Sequence, residues 1–134
     1  MTLVVDASVA AKWVLQEDGS DRAAALRGSG DDLIAPSLIV AEIGNAIWKR
    51  AIWREVSARD AVRAVQTAIN LFTRLIAPSE LAARSTEIAI ELRHPIYDCF
   101  YVALAERERC PMITADRRLI AAAKAMKGVE LSLL

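Results

Sequence analysis

The sequence predicts an α/β fold, a three-layer α/β/α sandwich around a central parallel sheet of about four or five short strands. Short apolar segments alternate with longer segments of helical periodicity along the chain, which is the pattern of strands joined by crossover helices. The strand candidates are apolar throughout rather than alternating, as expected for a parallel sheet that helices cover on both faces. Prolines and glycines stand at several of the segment boundaries.

The amino-terminal half is predicted to hold two strands, at residues 3–5 and 33–35, and four helices. The first two helices are expected at residues 7–15 and 21–27, separated by a break at 17–20. Ser37 and Ser57 are expected to begin the third and fourth helices. A serine before an apolar stripe is a typical N-cap, because its side chain accepts a hydrogen bond from a free backbone N–H.

The carboxy-terminal half is predicted to alternate in the same way. A strand at residues 75–77 leads into a helix that begins at 78–79 and runs to about Arg93. His94 and Pro95 break this helix, and another is expected from about 97 to 109. A strand at 112–114 is followed by a helix that Asp116 opens and Gly128 ends, with a last strand at 129–131.

The composition fits one globular domain spanning residues 1–134. Of these residues 54% are hydrophobic and 25% are charged, which excludes a disordered chain. No apolar run approaches the roughly 18 residues of a membrane span, and the start lacks the basic and apolar regions of a secretory signal, so we expect a cytoplasmic protein. Cys99 and Cys110 do not have a zinc-ligand spacing and are expected to be buried thiols. The net charge of zero counts against a nucleic-acid binder, which is often basic.

Four acidic residues stand at positions that a metal site would need. Asp6 directly follows the first strand and Asp116 lies just past the strand at 112–114, so both belong to the carboxyl edge of the sheet, where functional groups gather. Glu42 and Asp98 lie in the first turns of two helices, among apolar neighbours. Clustered carboxylates repel one another unless cations lie between them, and such hard oxygen ligands select Mg²⁺ or Mn²⁺ rather than zinc.

Each acid also has an ordinary structural explanation. Asp6 and Asp116 could cap the helices that follow them, and Asp98 is an unexceptional residue for a first helical turn. Glu42 could pair with a nearby arginine. A functional site is favoured because the ordinary explanation requires four independent coincidences at one end of one sheet.

The segments VVDASVAAKW, PSLIVAEIGNAIWKR, YDCFYVALAER and MITADRRL resemble, in order and spacing, the acidic motifs of PIN domains of the VapC kind. The likeness covers essentially the whole chain, and its most diagnostic part is TADRRL with YDCFYVALA one helix upstream. The resemblance implies a PIN-like fold and a metal-dependent ribonuclease that is the toxin of a VapBC toxin–antitoxin pair. It also implies that the catalytic, metal-binding acids are Asp6, Glu42, Asp98 and Asp116, with Mg²⁺ or Mn²⁺ as the cofactor.

The same resemblance assigns supporting residues. Ser8 and Thr114 match hydroxyl positions that form hydrogen bonds near the carboxylates, and Asn45 matches a polar position one turn beyond Glu42. The implied reaction is hydrolysis of an RNA phosphodiester bond to a 5′-phosphate and a 3′-hydroxyl, with a water activated by the ion as nucleophile. His94, the only histidine, is expected to be a turn or cap residue.

The implied substrate is RNA, with tRNA among the candidates. Its phosphates require positively charged side chains for binding. Arg117 beside Asp116 is the best candidate for a substrate contact and Lys12 is the second; most other basic residues are expected on solvated helix faces. The resemblance further implies a VapB-like antitoxin and a homodimer. At least two of the three tryptophans, Trp13, Trp48 and Trp53, are expected in the core.

Other functional classes share some of these sequence features. A receiver-like signalling domain also has clustered acids after the first strand, but it needs a phosphoacceptor aspartate after a middle strand, and neither 33–35 nor 75–77 leads into one. A non-catalytic PIN-shaped module that binds RNA or protein is the alternative to an enzyme, and the four intact acids argue against it. Dinucleotide and ATP enzymes are disfavoured because neither glycine-rich phosphate motif occurs.

Overall fold

The computed structural model describes residues 1–134 and contains one sheet of five parallel strands, as the sequence predicts. The strands are short and lie close to their predicted positions: β1 Thr2–Val5, β2 Asp32–Pro36, β3 Arg74–Ile76, β4 Met112–Thr114 and β5 Leu131–Leu133. Their order across the sheet is β3-β2-β1-β4-β5. The chain therefore builds outward from β1 in one direction and then returns to build from β1 in the other.

Seven helices accompany the sheet and cover both of its faces. Val4 and Val5 point to opposite faces of β1 and are both fully buried, which requires a layer of helices on each side. The helices are α1 Ala7–Ala10, α2 Ser20–Arg27, α3 Ile39–Ile52, α4 Ala58–Ile69, α5 Ala82–Leu92, α6 Ile96–Glu108 and α7 Arg117–Ala123. Short 3₁₀ turns follow α1 at Ala11–Trp13 and precede α5 at Pro78–Glu80.

The core centres on α6, which contacts β1, β2 and β4 on one side and α5 on the other. Five consecutive residues of α6, from 101 to 105, are buried, so this helix is enclosed all round its middle. A helix that is apolar on every side is typical of a buried element. Because Asp98 belongs to the first turn of α6, the most constrained helix of the molecule carries one of the predicted site residues.

Helix capping was predicted correctly at one serine and wrongly at the other. The Ser57 side chain accepts a hydrogen bond from the Asp60 backbone N–H at 3.1 Å and caps α4. Ser37 is not the cap of α3, which starts after Leu38 without a side-chain hydrogen bond. The Ser37 backbone N–H instead donates to the Ile76 carbonyl at 2.7 Å, so this residue extends the pairing of β2 with β3.

The carboxy terminus and the first helix also differ from expectation. The helix α7 ends at Ala123 rather than at Gly128, and β5 lies at Leu131–Leu133 rather than 129–131. The position of β5 follows from its register, because Leu131 pairs with Met112 and Leu133 with Thr114. The predicted helix at 7–15 is one α-helical turn continued by the 3₁₀ turn.

The tryptophans contradict the expectation that at least two lie in the core. Trp13 is buried, with its indole N–H donating to the Ala23 carbonyl at 2.9 Å, whereas Trp48 and Trp53 remain 55% and 77% exposed. Trp48 lies near the carboxyl end of α3, and Trp53 is the residue that caps this end. No helix of the molecule is both long and apolar enough to cross a membrane.

The sheet core gives a direct stability test. Replacing Ile34, fully buried in β2, with alanine should lower the free energy of unfolding by about 2–5 kcal/mol, since it leaves a cavity in a close-packed interior. The same substitution at Ile90, 74% exposed on α5, should change it by less than about 0.5 kcal/mol. Urea unfolding followed by circular dichroism measures both, and equal losses would contradict the layer arrangement.

Candidate metal centre

The strand order creates a crevice beside β1. From β1 the chain runs outward through β2 to β3, and it then crosses to β4 on the other side of β1, so the strand order reverses between β1 and β4. In open parallel sheets, binding sites form in the crevice outside the carboxyl ends of the strands at such a switch point. Asp6 follows β1 and Asp116 lies just beyond β4, so both occupy this crevice.

Asp6 is buried and its carboxylate accepts several hydrogen bonds. Its Oδ1 accepts from the Ser8 hydroxyl at 2.5 Å and from the Val9 backbone N–H at 3.2 Å, and its Oδ2 accepts from the Thr114 hydroxyl. The bond to Val9 makes Asp6 the N-cap of α1. Burial nevertheless raises the pKa of Asp6 above its ordinary value, and the nearby charge of Asp98 raises it further.

Ser8 and Thr114 join the two strand ends into one network. The Ser8 hydroxyl accepts a hydrogen bond from the Ala115 backbone N–H at 2.9 Å, and the Thr114 hydroxyl accepts one from the Asp116 backbone N–H at 3.0 Å. Each hydroxyl thus accepts from the loop after β4 and donates to Asp6 after β1. These bonds fix the position of the loop that carries Asp116 relative to Asp6.

Asp116 begins α7 as its N-cap. Its Oδ1 accepts hydrogen bonds from the backbone N–H groups of Arg118 at 2.8 Å and Leu119 at 3.3 Å. The second carboxylate oxygen, Oδ2, takes part in no hydrogen bond within the protein. Asp116 therefore satisfies the helix end with one oxygen and keeps the other available for a ligand.

Glu42 reaches the crevice from the first turn of α3. It does not pair with an arginine, the ordinary explanation considered from sequence; the Tyr101 hydroxyl donates to its Oε1 at 2.6 Å. Burial raises the pKa of Glu42, and the charges of Asp98 and Asp6 raise it further. Sequence reasoning missed Tyr101, although its position three residues after Asp98 places it on the same side of α6.

Asp98 is one-third exposed, and its partner is the residue that sequence analysis assigned only to a turn. The Nε2 atom of His94 lies 2.6 Å from Oδ2 of Asp98, and the histidine side chain is 11% exposed. His94 does lie in the turn between α5 and α6, but its ring faces the site. The spacing of four residues between a histidine and an acid was the signal available in the sequence.

The structure brings three ligand atoms close together: one each from His94, Asp98 and Asp116 all lie within 4.8 Å of one another. No lysine or arginine forms an ion pair with any of the four predicted acids, Asp6, Glu42, Asp98 and Asp116. His94 is thus the one basic side chain that pairs with these acids, and the donor atoms are carboxylate oxygens with one imidazole nitrogen. This set fits a divalent cation such as Mg²⁺ or Mn²⁺.

A cleft of about 860 Å³ opens beside the acids. Its acidic wall includes Glu42 and Asp116, and Asn45 lines it one turn along α3 from Glu42. The cleft also has a basic rim, which we define as Lys12, Lys49, Arg117 and Arg118. Lys12 is held by an ion pair with Glu17 at 3.3 Å, whereas Arg117 is exposed and takes part in no ion pair. Lys49 and Arg118 are among the basic residues for which a solvated helix face was the expectation, and both line the cleft.

Comparison with known proteins points to one family. The family model described as PIN domain matches residues 3–125. Ribonuclease VapC9 of Mycobacterium tuberculosis is 37% identical over 117 residues, covering 87% of both chains. Ribonuclease VapC3 of Pyrobaculum aerophilum is 31% identical over 121 residues, which cover 89% of this chain and 92% of the relative.

A solved structure agrees on the fold. VapBC2 from Rickettsia felis, determined bound to a DNA fragment from the promoter, contains a chain that superposes with a TM-score of 0.72. The match covers 100% of this chain and 99% of that one at 13% identity. At this identity the similarity is evidence for the architecture alone.

Burial, together with the charges of Asp98 and Asp6, predicts that the charge of Glu42 opposes folding. In protein freed of divalent ions by a chelator, Glu42→Gln should raise the free energy of unfolding at neutral pH, because the amide oxygen still accepts from Tyr101 while the disfavoured charge is removed. Folding raises the pKa of Glu42, so the penalty is present above the folded pKa. It vanishes below the ordinary value of 4.5, where the carboxyl is neutral in both states.

Urea unfolding at neutral pH and at a pH below 4.5 measures this difference. The matched control is Glu91→Gln on the exposed side of α5, which should change stability little at either pH. A loss of stability in Glu42→Gln at neutral pH would contradict the interpretation.

Proposed function

Because the chain belongs to the PIN-domain family, we propose that it is a metal-dependent endoribonuclease and the toxin of a type II toxin–antitoxin system. The observation that carries this proposal is the convergence of carboxylates without a lysine or arginine partner at the switch point of the sheet. The similar proteins VapC9 and VapC3 are named ribonucleases. A non-catalytic binding module is not favoured, because such a module would have no need of buried acids such as Asp6 and Glu42, whose pKa values burial raises.

We assign the metal ligands to Asp6, Asp98 and Asp116, with Glu42 completing the site. When bound, Mg²⁺ or Mn²⁺ supplies Lewis-acid stabilisation of the phosphate and lowers the pKa of a water nucleophile. Ser8 and Thr114 hold the Asp6 carboxylate in one orientation by donating to its two oxygens. The ligand geometry is therefore set by the fold before any ion binds.

Glu42 is suited to take the proton of the attacking water. Tyr101 donates to Oε1, and Oε2 takes part in no hydrogen bond within the protein, so one oxygen is fixed while the other faces the cleft. The raised pKa of Glu42 makes it a stronger base than an exposed glutamate. Asn45, one turn further along the cleft, is placed to donate a hydrogen bond to the substrate.

The basic rim would bind the RNA backbone. Arg117 and Lys12 flank the acids from two sides, and Lys49 and Arg118 extend the positive surface. Cationic side chains around an acidic centre attract the phosphates of the RNA backbone. Such contacts position a nucleic acid but do not distinguish one base sequence from another. We propose RNA as the substrate, with tRNA as a candidate, and the cytoplasm as the place of action.

A protein partner is part of the proposal. Large apolar side chains remain exposed at the end of α3 and on α4, namely Trp48, Ile52, Trp53 and Val62. Large exposed apolar side chains are typical of protein interaction sites where they form one surface. We propose a VapB-like antitoxin as the partner and a homodimer as the assembly, with residues 1–134 as one catalytic domain.

The nuclease proposal is tested by RNA cleavage with Mg²⁺ or Mn²⁺, with and without chelator. Asp98→Asn should lower the rate at least about 100-fold, because it weakens a ligand, and loss of even an outer partner of a ligand costs about 10–100-fold. Asp60→Asn, on the exposed surface of α4, should cleave at the wild-type rate. Cleavage in excess chelator, or by Asp98→Asn at the wild-type rate, would refute the proposal.

Expression of wild type but not Asp98→Asn should arrest cell growth.

The basic rim makes a separate prediction about salt. Arg117→Ala should raise KM about tenfold, because one phosphate contact is removed. The affinity should also fall less steeply with salt, with the slope of log affinity against log salt smaller in magnitude by about 1. Arg59→Ala, which removes an equally exposed arginine on α4 outside the cleft, is the control. An unchanged salt slope in Arg117→Ala would place the RNA elsewhere.

A further inference from the structure

His94 has a position that its role as a turn residue does not explain. The turn between α5 and α6 requires only that Arg93 adopt a left-handed conformation, with φ of 50°, and that Pro95 precede the first turn of α6. Neither requirement involves the imidazole ring. The ring is nonetheless 11% exposed, and its Nε2 atom is directed at the Asp98 carboxylate.

The donor atoms around His94 lie close enough together for one ion to contact all of them. Donor atoms of His94, Asp98 and Asp116 all lie within 4.8 Å of one another. Bonds from a small divalent ion to nitrogen or oxygen are about 2.1 Å long, so opposite ligands lie about 4.2 Å apart. The Nε2 atom of His94 and Oδ2 of Asp98, now 2.6 Å apart in a hydrogen bond, would separate to the roughly 3.0 Å that lies between adjacent ligands when one ion binds both.

We propose that His94 is a ligand of the divalent ion, together with Asp98 and Asp116, and that this nitrogen makes the centre prefer Mn²⁺ to Mg²⁺. The inference rests on the proposed metal-dependent function and adds a residue that the acidic motifs do not contain. Mg²⁺ binds oxygen almost exclusively, whereas transition ions accept imidazole readily. One histidine among carboxylates is thus enough to change which ion binds more tightly.

The charge balance of the site agrees with this assignment. Elsewhere in this protein several acids are paired with lysines or arginines, for example Glu106 and Glu87 with Arg84. At the site the chain places no lysine or arginine against the acids. The one nitrogen-bearing side chain in contact with them is also the one that is able to bind a metal ion.

Pulsed electron paramagnetic resonance of Mn²⁺ bound to the untagged protein tests the proposal without an activity assay. The chain contains a single histidine, so selective ¹⁵N labelling of histidine labels His94 alone. We expect the strong nitrogen coupling of a directly bound imidazole, the replacement of ¹⁴N by ¹⁵N frequencies on labelling, and the loss of the coupling in His94→Gln.

Equilibrium titrations provide the second measurement. His94→Gln should weaken Mn²⁺ binding about tenfold and change Mg²⁺ binding less than about twofold, since only the transition ion gains from the nitrogen. Glu91→Gln is again the control for an exposed substitution, and circular dichroism verifies that both variants fold.

The outcomes separate this inference from the proposed function. Mn²⁺ bound without nitrogen coupling in the wild type would overturn the assignment of His94 as a ligand, leave it a hydrogen-bond partner of Asp98, and leave the nuclease proposal intact. Equal loss of Mn²⁺ and Mg²⁺ affinity in His94→Gln would overturn the ion preference. Absence of stoichiometric Mn²⁺ binding would refute the inference and the metal-dependent function together.

Discussion

The burial of carboxylates at the switch point, with no lysine or arginine paired to them, is the constraint on which the site depends. Asp6, Glu42 and Asp98 act on one another's charge, and no lysine or arginine forms an ion pair with any of them. Charged groups removed from water destabilise a fold unless hydrogen bonds compensate. Here the compensation comes from neutral donors, the hydroxyls of Ser8, Thr114 and Tyr101, which leave the site its negative charge.

Structural and functional roles are combined in the same side chains. Asp6 and Asp116 each cap a helix and each face the crevice, so the capping explanation considered from sequence is correct without excluding a ligand role. The two carboxylate oxygens of Asp116 differ in their contacts. One accepts hydrogen bonds at the start of α7, and the other forms no hydrogen bond within the protein. Capping α7 therefore orients Asp116 and leaves its negative charge and one oxygen available for an ion.

Rigidity of the site comes from the buried helix α6 and from the sheet. Asp98 and Tyr101 lie on α6, which is enclosed by β1, β2, β4 and α5, and Asp6 and Thr114 lie at the ends of adjacent strands. Groups held on packed elements keep their geometry better than groups on loops. The surface that would contact a protein partner differs from this site in its chemistry. It is apolar, with Trp48 and Trp53 exposed at the carboxyl end of α3.

The sequence by itself determined the strands, most helix positions, the Ser57 cap and the candidate acids. These features depend on the spacing of apolar residues and on helix capping, which both involve residues close together along the chain. Tertiary structure alone decided the strand order, the exposure of Trp48 and Trp53, and the contacts of Tyr101 with Glu42 and Thr114 with Asp6. Those contacts join residues 59 and 108 positions apart. They depend on which of several similar apolar strands become neighbours, and side-chain pattern does not distinguish one such strand from another.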